Sequence, residues 1–453
     1  MKGEGGLKKF DVIVIGAGPG GYVTAIRSAQ LGKKVALIEK EKVGGTCLHV
    51  GCIPSKTYIH VAAQIESARQ MQQYGVTVQD LRIDFSKVKE KKDKVISRLE
   101  QGVTHLCKKN NITMIYGEAQ IKDSFVTVEG ETYTAKDIVI ATGSRPFIPN
   151  IKGLDEIEYI TTDSFFSIQT LPKTMCIIGG GVIAVELASA LALMNVHVTI
   201  IEVAEDILLS EDKEARGIVK KRLQKNGIDI ITNTKIKEVK QNVVSLLEKD
   251  IPYEKLLIAT GRIPNVEIIQ NEQLEMNGKF IAVNCHFETS KGHIYAIGDI
   301  TGGYQLAHAA IMEGIYVAEK IAGKLVAEIK ENDIPRCVYT TPEIASIGIS
   351  EEKAKELGYD VQVSTTMLNG NGKAISNDAT DGFVKIISEK KYGEILGAVI
   401  VSKNATEMIH AILGMKYVEG TIEELASMTW AHPTLSEVIF ESANNFFGKA
   451  IHM

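Results

Sequence analysis

Residues 10–39, FDVIVIGAGPGGYVTAIRSAQLGKKVALIE, describe a strand, a glycine turn, a helix and a second strand. The continuous apolar run FDVIVI is typical of a buried parallel strand. Gly16, Gly18 and Gly21 form a Gly-x-Gly-x-x-Gly turn, which lets the backbone approach a pyrophosphate at the N-terminus of the helix. Glu39 closes the second strand, where its carboxylate can bind the ribose hydroxyls of an adenosine. The stretch therefore predicts a βαβ unit that binds a dinucleotide.

The same plan returns in residues 174–202, TMCIIGGGVIAVELASALALMNVHVTIIE. Gly179, the first glycine of this second turn, lies 23 residues before Glu202, and Gly16 lies 23 residues before Glu39. The two copies stand 163 residues apart. Because chance glycines would not repeat both the turn and the acidic residue, this spacing predicts two dinucleotide-binding domains.

The second turn also indicates which nucleotide it binds. It reads Gly179-x-Gly181-x-x-Ala184, and the motif tolerates alanine at its third position. Residues 203–206, VAED, follow Glu202 without an arginine, so a 2′-phosphate there would meet negative charge. A solvated glutamate at a strand end is a rival interpretation of Glu202 taken alone, but the matched spacing favours an NAD site over an NADP site.

The composition bounds the class of protein. The 453 residues, 45% hydrophobic and 24% charged, predict an ordinary globular chain of about three domains. A net charge of −5 and the mixed charges of residues 87–94 (KVKEKKDK), interpreted as a solvated helix face, argue against a nucleic acid partner. No apolar run approaches the ~18 residues of a membrane span and no secretory signal is evident, so we expect a cytoplasmic protein. Six cysteines are too few for a disulfide scaffold. Four of them are interpreted as inert packing residues: Cys107, Cys176, Cys285 and Cys337.

Residues 44–56, GGTCLHVGCIPSK, carry the sharpest chemical signal. Cys47 and Cys52, ahead of a predicted helix with Pro54 near its first turn, can close a small disulfide. The helix dipole and Lys56 would favour a thiolate after reduction. Two core cysteines together by coincidence are the alternative, which the surrounding glycines and proline disfavour. The spacing is unlike paired zinc ligands and no second ligand pair follows, so no metal site is predicted.

Residues 430–438, WAHPTLSEV, hold a candidate acid–base pair. His432 precedes a proline, and Glu437 lies five residues later, where its carboxylate could orient the imidazole. Glu437 has a second interpretation, because Thr434-x-x-Glu437 fits a helix capping box. The sequence leaves both interpretations open, and they can coexist.

The rest of the chain is predicted more coarsely. Residues 55–110 look helical, and a strand pair follows at about 116–130. Residues 297–303, IGDITGG, predict a strand that ends in a turn, in which Asp299 could be merely a turn residue. From about residue 335 the apolar residues alternate as in an antiparallel sheet. Helices are expected near 351–358 and 404–418, and we interpret this part as a third, α+β domain.

Along nearly the whole chain, the motifs resemble those of the pyridine nucleotide–disulfide oxidoreductase family, in that family's order. They are the first glycine turn, GGTCLHVGCIPSK, ATGSRP, GGGVIAVE, ATGRIPN, AIGDI, LAH and AHPTLSE. The cysteine motif and AHPT together are highly specific, whereas each glycine motif alone is not. The resemblance implies an α/β fold with two Rossmann-like domains, for FAD and for NAD, and a C-terminal α+β dimerisation domain. The expected divisions are 1–147 (FAD, first part), 148–266 (NAD), 267–334 (FAD and central, second part) and 335–453 (interface).

The resemblance also implies which residues contact the two cofactors. The expected FAD contacts are Gly16, Gly18, Gly21, Glu39, Gly45, Thr46, Lys56, Gly117, Thr142, Gly143, Asp299 on the ribityl chain, and Ala307. The expected NAD contacts are Gly179, Gly181, Glu186, Glu202, Ile236 near the adenine, and Gly261.

The reaction implied by the resemblance is oxidation of dihydrolipoyl groups with reduction of NAD+. Cys47 resembles the thiol that attacks lipoyl sulfur, and Cys52 the thiol that lies against the flavin. Lys56 and Glu186 resemble the pair that flanks the reactive edge of the flavin. The implied acid–base is His432 with Glu437, supplied by the partner subunit of a homodimer. The dihydrolipoyl group would belong to a separate carrier, either a 2-oxo acid dehydrogenase acyltransferase or the glycine-cleavage H protein.

Three departures from the family pattern leave alternatives to weigh. They are His49 beside the first cysteine, Trp430 two residues before His432, and Ala184 in the second glycine turn. We expect the first two to affect substrate preference or redox poise rather than to abolish activity. A glutathione-type reductase favours NADP, and a mercuric-type reductase needs a C-terminal cysteine pair, which is missing after Cys337. A flavoprotein scaffold without activity would need neither the cysteine pair nor the histidine.

Overall fold

The N-terminal region builds the sheet that carries the first glycine turn. The structure is a computed structural model that describes residues 7–269 and 273–452. The strands and longer helices of this region are β1 (Lys8–Ile15), α1 (Pro19–Gln30), β2 (Val35–Glu39), α2 (Gly45–His49), α3 (Cys52–Gln70), α4 (Phe85–Lys109), β3 (Thr113–Tyr116), β4 (Ala119–Lys122), β5 (Phe125–Val128), β6 (Glu131–Ile140) and β7 (Ser144–Pro146).

This sheet has a parallel centre with the order β3-β2-β1-β6, and β5 and β4 extend it as an antiparallel pair. Val12 and Val14 of β1 are fully buried and pair in register with Val35 and Leu37 of β2. A strand covered on both faces needs a continuous apolar run, which FDVIVI supplies. The predicted strand, turn, helix and strand are therefore confirmed.

The helical prediction for residues 55–110 needs one correction, and the interpretation of residues 87–94 needs another. The helix stops after Gln70, and a short 3₁₀ turn, Met71–Tyr74, and an extended segment separate it from α4. Within α4, Lys92 is 4% exposed, and its ammonium donates to the Phe166 carbonyl oxygen at 2.9 Å. The interpretation of residues 87–94 as a solvated face was therefore wrong at Lys92, because its buried ammonium is compensated by the Phe166 carbonyl oxygen and by the Asp93 carboxylate at 2.6 Å.

The second region repeats the parallel plan around the second glycine turn. Its strands and helices are β8 (Ile160–Thr161), β9 (Thr174–Ile178), α5 (Val182–Leu193), β10 (His197–Ile201), α6 (Lys213–Lys225), β11 (Asp229–Ile231), β12 (Ile236–Lys240), β13 (Val243–Leu246), β14 (Asp250–Pro252), β15 (Lys255–Ile258) and β16 (Arg262–Pro264). The parallel sheet has the order β11-β10-β9-β15-β8, and β12, β13 and β14 form a separate antiparallel sheet. Strand β16 pairs with β7, so the segments ATGSRP and ATGRIPN meet.

After the second region the chain returns to the first sheet. The elements there are β17 (Met276–Asn277), β18 (Phe280–Ile281), β19 (Ile294–Ala296) and α7 (Ala307–Ile321). Strand β19 adds in parallel to β6, with Ile294 opposite Ile138. The strand end at AIGDI is confirmed, whereas the expected domain borders stay a prediction.

The C-terminal region is the predicted antiparallel sheet with helices. Its elements are β20 (Arg336–Val338), β21 (Glu343–Gly348), α8 (Glu351–Glu356), β22 (Val361–Met367), α9 (Gly372–Ser376), β23 (Phe383–Glu389), β24 (Ile395–Ser402), α10 (Ala405–Tyr417), α11 (Ile422–Ser427) and α12 (Glu437–Phe446). The strand order is β20-β21-β24-β23-β22. Among residues 7–269 and 273–452, no helix is both long and apolar enough to cross a bilayer. The predicted α/β class, with a C-terminal α+β part, is confirmed.

Candidate active site

The cysteine motif lies directly on the first glycine turn. The amide of Gly44 donates to the Ala17 carbonyl oxygen at 2.8 Å. Gly45 has a φ of +58°, and a Cβ on it would lie 2.7 Å from the Cα of Gly18. A side chain at Gly45 would therefore push the cysteine loop off the turn. Cys47 stands within α2, and the loop brings it next to Cys52, the first residue of α3.

The two cysteines are free, half-buried thiols in the structure and share a hydrogen bond. The pKa of Cys52 is lowered to about 7, first because the Cys47 thiol donates to it and then because the Lys56 ammonium is near. Together these two effects outweigh burial, which alone would raise that pKa. The pKa of Cys47 is raised, because its proton is held in the shared hydrogen bond and because the thiol is buried. Cys52 is therefore the thiol that ionises first.

Lys56 is held in place by two partners from other parts of the chain. Its Nζ donates to Glu186 Oε2 at 2.7 Å and lies 4.4 Å from the ring centre of Tyr339. The second oxygen of Glu186 accepts the amide of Tyr339 at 2.9 Å. Glu186 is 2% exposed, so its charge depends on these contacts. The structure thus brings the predicted Lys56 and Glu186 together and adds Tyr339, which the sequence analysis missed.

His432 and Glu437 form the predicted contact on the C-terminal region. The Nδ1 atom of His432 lies 2.9 Å from Glu437 Oε1, and the amide of Thr434 donates to Glu437 Oε2 at 2.7 Å. One carboxylate therefore makes both contacts that the sequence left open. The capping box is incomplete, because α12 begins at Glu437 and the Thr434 hydroxyl donates to the Ala431 carbonyl oxygen.

These contacts stabilise the charged form of Glu437, and the side chain of His432 is exposed. Burial alone would raise the pKa of Glu437, but the Thr434 amide and His432 together lower it. The His432 side chain is 79% exposed. Within the described part of one chain, no hydrogen bond or ion pair joins His432 to Cys47 or Cys52. A single chain thus presents two separate parts of the predicted site.

The first glycine turn fits a bound dinucleotide. Gly16 has a φ of +97°, and a Cβ there would lie 2.3 Å from the Ala141 carbonyl oxygen, so this position requires glycine. A Cβ on Gly18 would instead point into empty space, where a pyrophosphate can approach the backbone. Glu39 accepts the amide of Ala17 at 2.7 Å, which fixes its carboxylate beside the turn. The residues expected to hold FAD form a cradle of the right chemistry.

The second turn has the same geometry at its first two motif glycines and at its acidic residue, whereas its third position is Ala184 in place of glycine. A Cβ on Gly179 would lie 2.3 Å from the Ala259 carbonyl oxygen, and a Cβ on Gly181 would meet nothing within 4 Å. Glu202 accepts the amide of Gly180 at 2.6 Å and that of Ala204 at 2.8 Å. This match between the two turns supports two nucleotide sites.

The expected ribityl contact, Asp299, belongs to a hydrogen-bonded chain that the sequence analysis missed. Its carboxylate accepts the Ser144 hydroxyl at 2.5 Å, and that hydroxyl accepts the Arg262 guanidinium at 2.7 Å. Arg262 also pairs with Asp163 at 2.8 Å. Because Ser144 and Arg262 lie in the paired strands β7 and β16, these hydrogen bonds link the two nucleotide regions. No local sequence signal marks these residues, apart from their position after ATG.

The remaining expected contacts take positions at element ends. They are Gly21 in α1, Thr46 in α2, Gly117 after β3, Thr142 and Gly143 after β6, Ile236 at the start of β12, Gly261 before β16 and Ala307 at the start of α7. Thr142 Oγ1 donates to the Asn265 carbonyl oxygen at 2.9 Å, and the Asn265 amide donates to the Gly143 carbonyl oxygen at 3.0 Å. The Nε2 atom of Gln305, close to Ala307, is shielded from solvent without a hydrogen-bond partner in the described structure. A ligand acceptor would satisfy it.

The two departures beside the site are both anchored to the backbone. A ring nitrogen of His49 lies 2.9 Å from the Val43 carbonyl oxygen. The indole of Trp430 donates to the Leu425 carbonyl oxygen at 3.2 Å and packs against the C-terminal core. Both side chains therefore have structural contacts of their own.

One of the four cysteines predicted to pack inside does not. Cys107 and Cys176 are fully buried and Cys337 is half-buried, but Cys285 is exposed. The pKa of Cys285 is raised, chiefly because its thiol donates to the nearby Glu328 carboxylate. The prediction for Cys285 was wrong, because it lies in a surface turn and its partner is distant in sequence.

The chain is similar to known proteins along nearly its whole length. The family model described as pyridine nucleotide-disulphide oxidoreductase matches residues 10–314, and that of its dimerisation domain matches residues 334–443. A dihydrolipoyl dehydrogenase of Geobacillus stearothermophilus is 40% identical over 461 residues, which cover 98% of this chain and 97% of the relative. One from Bacillus subtilis (strain 168) is 38% identical over 471 residues, which cover 98% and 99%.

Solved structures agree with this result. The HOCl-induced flavoprotein disulfide reductase RclA from Escherichia coli matches with a TM-score of 0.86 at 28% identity, covering 96% of this chain and 99% of that one. The dimerisation-domain match supports the predicted homodimer. The resemblance inferred from the motifs is confirmed, and the chain belongs to the pyridine nucleotide-disulphide oxidoreductase family.

Proposed function

We propose that this protein oxidises dihydrolipoyl groups to lipoyl groups and reduces NAD+ to NADH. The observation that carries the proposal is the acidic Cys52 thiol, hydrogen-bonded to Cys47 in a loop that lies on the first glycine turn. A dithiol that gives up a proton near neutral pH is suited to exchange with another dithiol. The relatives named dihydrolipoyl dehydrogenase point to the same activity.

FAD and NAD are the cofactors that the family implies, and the two glycine turns fit them. When bound, FAD accepts two electrons from thiols and passes them to NAD+. The protein's own part is thiol exchange. In our proposal one substrate thiolate attacks the sulfur of Cys47 in an oxidised Cys47–Cys52 disulfide, and Cys52 leaves as the thiolate. The second substrate thiol then displaces Cys47, which closes the lipoyl disulfide and leaves both cysteines reduced.

The Lys56 ammonium has a defined task in this sequence. It stabilises the Cys52 thiolate as it leaves, because its charge lowers the pKa of Cys52. Glu186 fixes the position of that ammonium through the 2.7 Å ion pair. We place Lys56 and Glu186 between the cysteines and the second nucleotide region, where they would flank the reactive edge of the flavin.

His432 is the proposed acid–base. It would take a proton from the substrate thiol and return it as exchange proceeds, while Glu437 holds its Nδ1 atom at 2.9 Å. Its exposure fits an arrangement in which His432 of one chain serves the cysteines of the partner chain. The homodimer would then be needed for activity and not only for stability.

The substrate group would be carried by a separate lipoylated protein. We propose an acyltransferase of a 2-oxo acid dehydrogenase complex or the glycine-cleavage H protein as this carrier. We also propose that this protein acts in the cytoplasm, because six cysteines in 453 residues are too few for a disulfide scaffold, as is usual in a reducing compartment.

The decisive experiment measures NADH formation from dihydrolipoamide and NAD+ by the flavin-loaded protein. A Cys47→Ser variant should keep its flavin and lose turnover, whereas Cys337→Ser, at a half-buried cysteine outside the redox pair, should keep both. Flavin-loaded wild-type protein that forms no NADH would rule out the proposed substrate. Activity that persists in Cys47→Ser would rule out the proposed role of Cys47.

A further inference from the structure

A second cluster of chemically active side chains lies outside the redox site. Cys285 and His286 belong to a surface turn before β19, and Glu328 belongs to the segment that follows α7. One ligand atom from each residue, the sulfur, a ring nitrogen and a carboxylate oxygen, lies within 4.8 Å of the other two. We propose that these three residues bind a divalent transition-metal ion of the zinc class.

The donor set matches such an ion. Thiolate and imidazole are the ligands that zinc takes most often in proteins, and a carboxylate is a common third ligand. Three protein donors leave a fourth, open position of a tetrahedral ion to water, and the exposure of Cys285 and Glu328 gives that water access. Binding of the ion releases one proton to solvent, because the Cys285 thiol becomes a metal-bound thiolate.

The turn that carries two of the ligands is fixed before any metal binds. The side-chain oxygen of Asn284 accepts the amide of His286 at 2.9 Å and that of Glu288 at 3.1 Å. The chain also closes on itself here, because the amide of Phe287 donates to the Asn284 carbonyl oxygen at 2.9 Å. A turn held in this way loses little entropy when its side chains coordinate an ion.

The imidazole of His286 is oriented by a buried tyrosine. Tyr316 of α7 is 4% exposed, and its hydroxyl lies 2.6 Å from His286 Nδ1. The two rings are stacked with centres 6.1 Å apart. An outer partner on one ring nitrogen sets the direction of the other, and such partners are usual behind metal-bound histidines.

The site is separate from the nucleotide cradle. Tyr316 lies nine positions after Ala307 in α7, a rise of about 14 Å along the helix. A metal at this distance would not touch the expected FAD contact. It would instead cross-link the turn before β19 to the segment after α7, so its effect is stabilisation of the fold by binding.

The test measures metal binding rather than turnover. The flavin-loaded Cys47→Ser, Cys52→Ser double variant serves as the background, so that the redox thiols cannot compete. After treatment with a chelator, it is titrated with Zn2+ by calorimetry, and with Co2+ by absorption difference spectra. We expect one Zn2+ per chain with a Kd of about 10 µM or tighter, a thiolate-to-cobalt band and a higher Tm with Zn2+.

Single changes in that background separate the cluster from adventitious binding. Cys285→Ser and His286→Ala should each weaken Zn2+ binding at least about tenfold, and Cys285→Ser should abolish the cobalt band. His293→Ala, at a histidine whose side chain is 78% exposed, is the matched control and should change neither. Flavin content reports that each variant is folded. Zn2+ binding that is absent, or that survives Cys285→Ser, would overturn the proposal.

Discussion

Cys52 and Lys56 stand one helical turn apart at the start of α3, so the ammonium and the thiol share one face of the helix. The Glu186 carboxylate opposes the ammonium, because it raises the pKa of Cys52 while Lys56 lowers it. The low pKa of Cys52 thus depends first on the hydrogen bond from Cys47, and then on a lysine that both stabilises the thiolate and neutralises a buried glutamate.

Replacing Lys56 with methionine should raise the pKa of Cys52 from about 7 toward that of an ordinary thiol. We expect an upward shift of about one pH unit, because the ammonium is lost and Glu186 is left uncompensated. The measurement is the rate of iodoacetamide alkylation at Cys52 of the reduced, flavin-loaded protein between pH 5 and 10, with mass spectrometry to identify the residue.

Lys56→Arg is the control for this prediction. It keeps the positive charge, so the alkylation midpoint should stay within about half a pH unit of the wild-type midpoint. If Lys56→Met leaves the midpoint unchanged, the ammonium does not set the acidity of Cys52 and the hydrogen bond from Cys47 acts alone.

At the scale of single residues, the sequence predicts contacts between residues that lie close together in the chain. Cys47, Cys52 and Lys56 lie within ten positions, and His432 lies five residues from Glu437, so their contacts follow from turn and helix geometry. Tyr339 packs on Lys56 although it lies 283 positions later in the chain, and no periodicity relates the two. Such contacts depend on tertiary packing, which a motif does not encode.

Among the elements, the two glycine turns offer a matched pair of changes. Gly18 has φ −69° and ψ −177°, and Gly181 has φ −75° and ψ −179°, which any residue adopts. A Cβ at either position meets no protein atom within 4 Å. A side chain there would be tolerated by the protein but would occupy the space of a pyrophosphate.

Gly18→Val should therefore give folded protein with at least about tenfold weaker FAD binding, whereas Gly181→Val should keep FAD and weaken NADH binding by a similar factor. Flavin absorbance after gel filtration, circular dichroism and an NADH titration distinguish these outcomes. Loss of flavin from Gly181→Val, or normal NADH binding by it, would contradict the assignment of the second turn to NAD.

A second prediction at this scale concerns the contact between β23 and α6. Lys385 is 9% exposed, and its ammonium lies 2.8 Å from Asp212 and 2.9 Å from Glu214. Burial alone would lower the pKa of Lys385, but these two carboxylates raise it. Since the folded-state pKa is raised, the stabilisation is present below about pH 10 and is lost as the pH rises through the folded-state value.

Lys385→Met should lower the free energy of unfolding by about 1–3 kcal/mol at neutral pH, because Asp212 loses its cation while it caps α6. Lys355→Met is the matched control, because Lys355 also pairs with a carboxylate but is 60% exposed, and it should change stability by less than about 0.5 kcal/mol. Urea unfolding at pH 7 measures both. Equal effects of the two changes would mean that burial adds nothing to the Lys385 pair.

The predictions of helices and strands were confirmed where a long apolar pattern lies within one continuous stretch of sequence. The strands around both glycine turns follow from continuous apolar runs, and α10 matches the helix expected near residues 404–418. The break between α3 and α4 was missed, because residues 75–84 follow a polar helix end and carry little apolar pattern of their own. The exposed cluster of Cys285 and Glu328 was missed, because two distant surface segments meet there.

At the scale of the whole molecule, the proposed role of His432 depends on a second copy of the chain. The Cys47–Cys52 pair lies on the first nucleotide region, whereas His432 lies on the C-terminal region that matches the dimerisation-domain model. If two chains exchange these parts across a twofold axis, each dimer holds two sites, and each site uses the cysteines of one chain and the histidine of the other.

This arrangement makes a complementation experiment decisive. Cys47→Ser and His432→Gln homodimers should both be inactive in dihydrolipoamide oxidation, because each lacks one part of both sites. A heterodimer of the two variants, purified through two different tags, has one site that lacks both residues and one that is intact. It should therefore recover about half of the wild-type activity per dimer. If His432 instead serves the cysteines of its own chain, no intact site forms, and the heterodimer should be as inactive as the two parents.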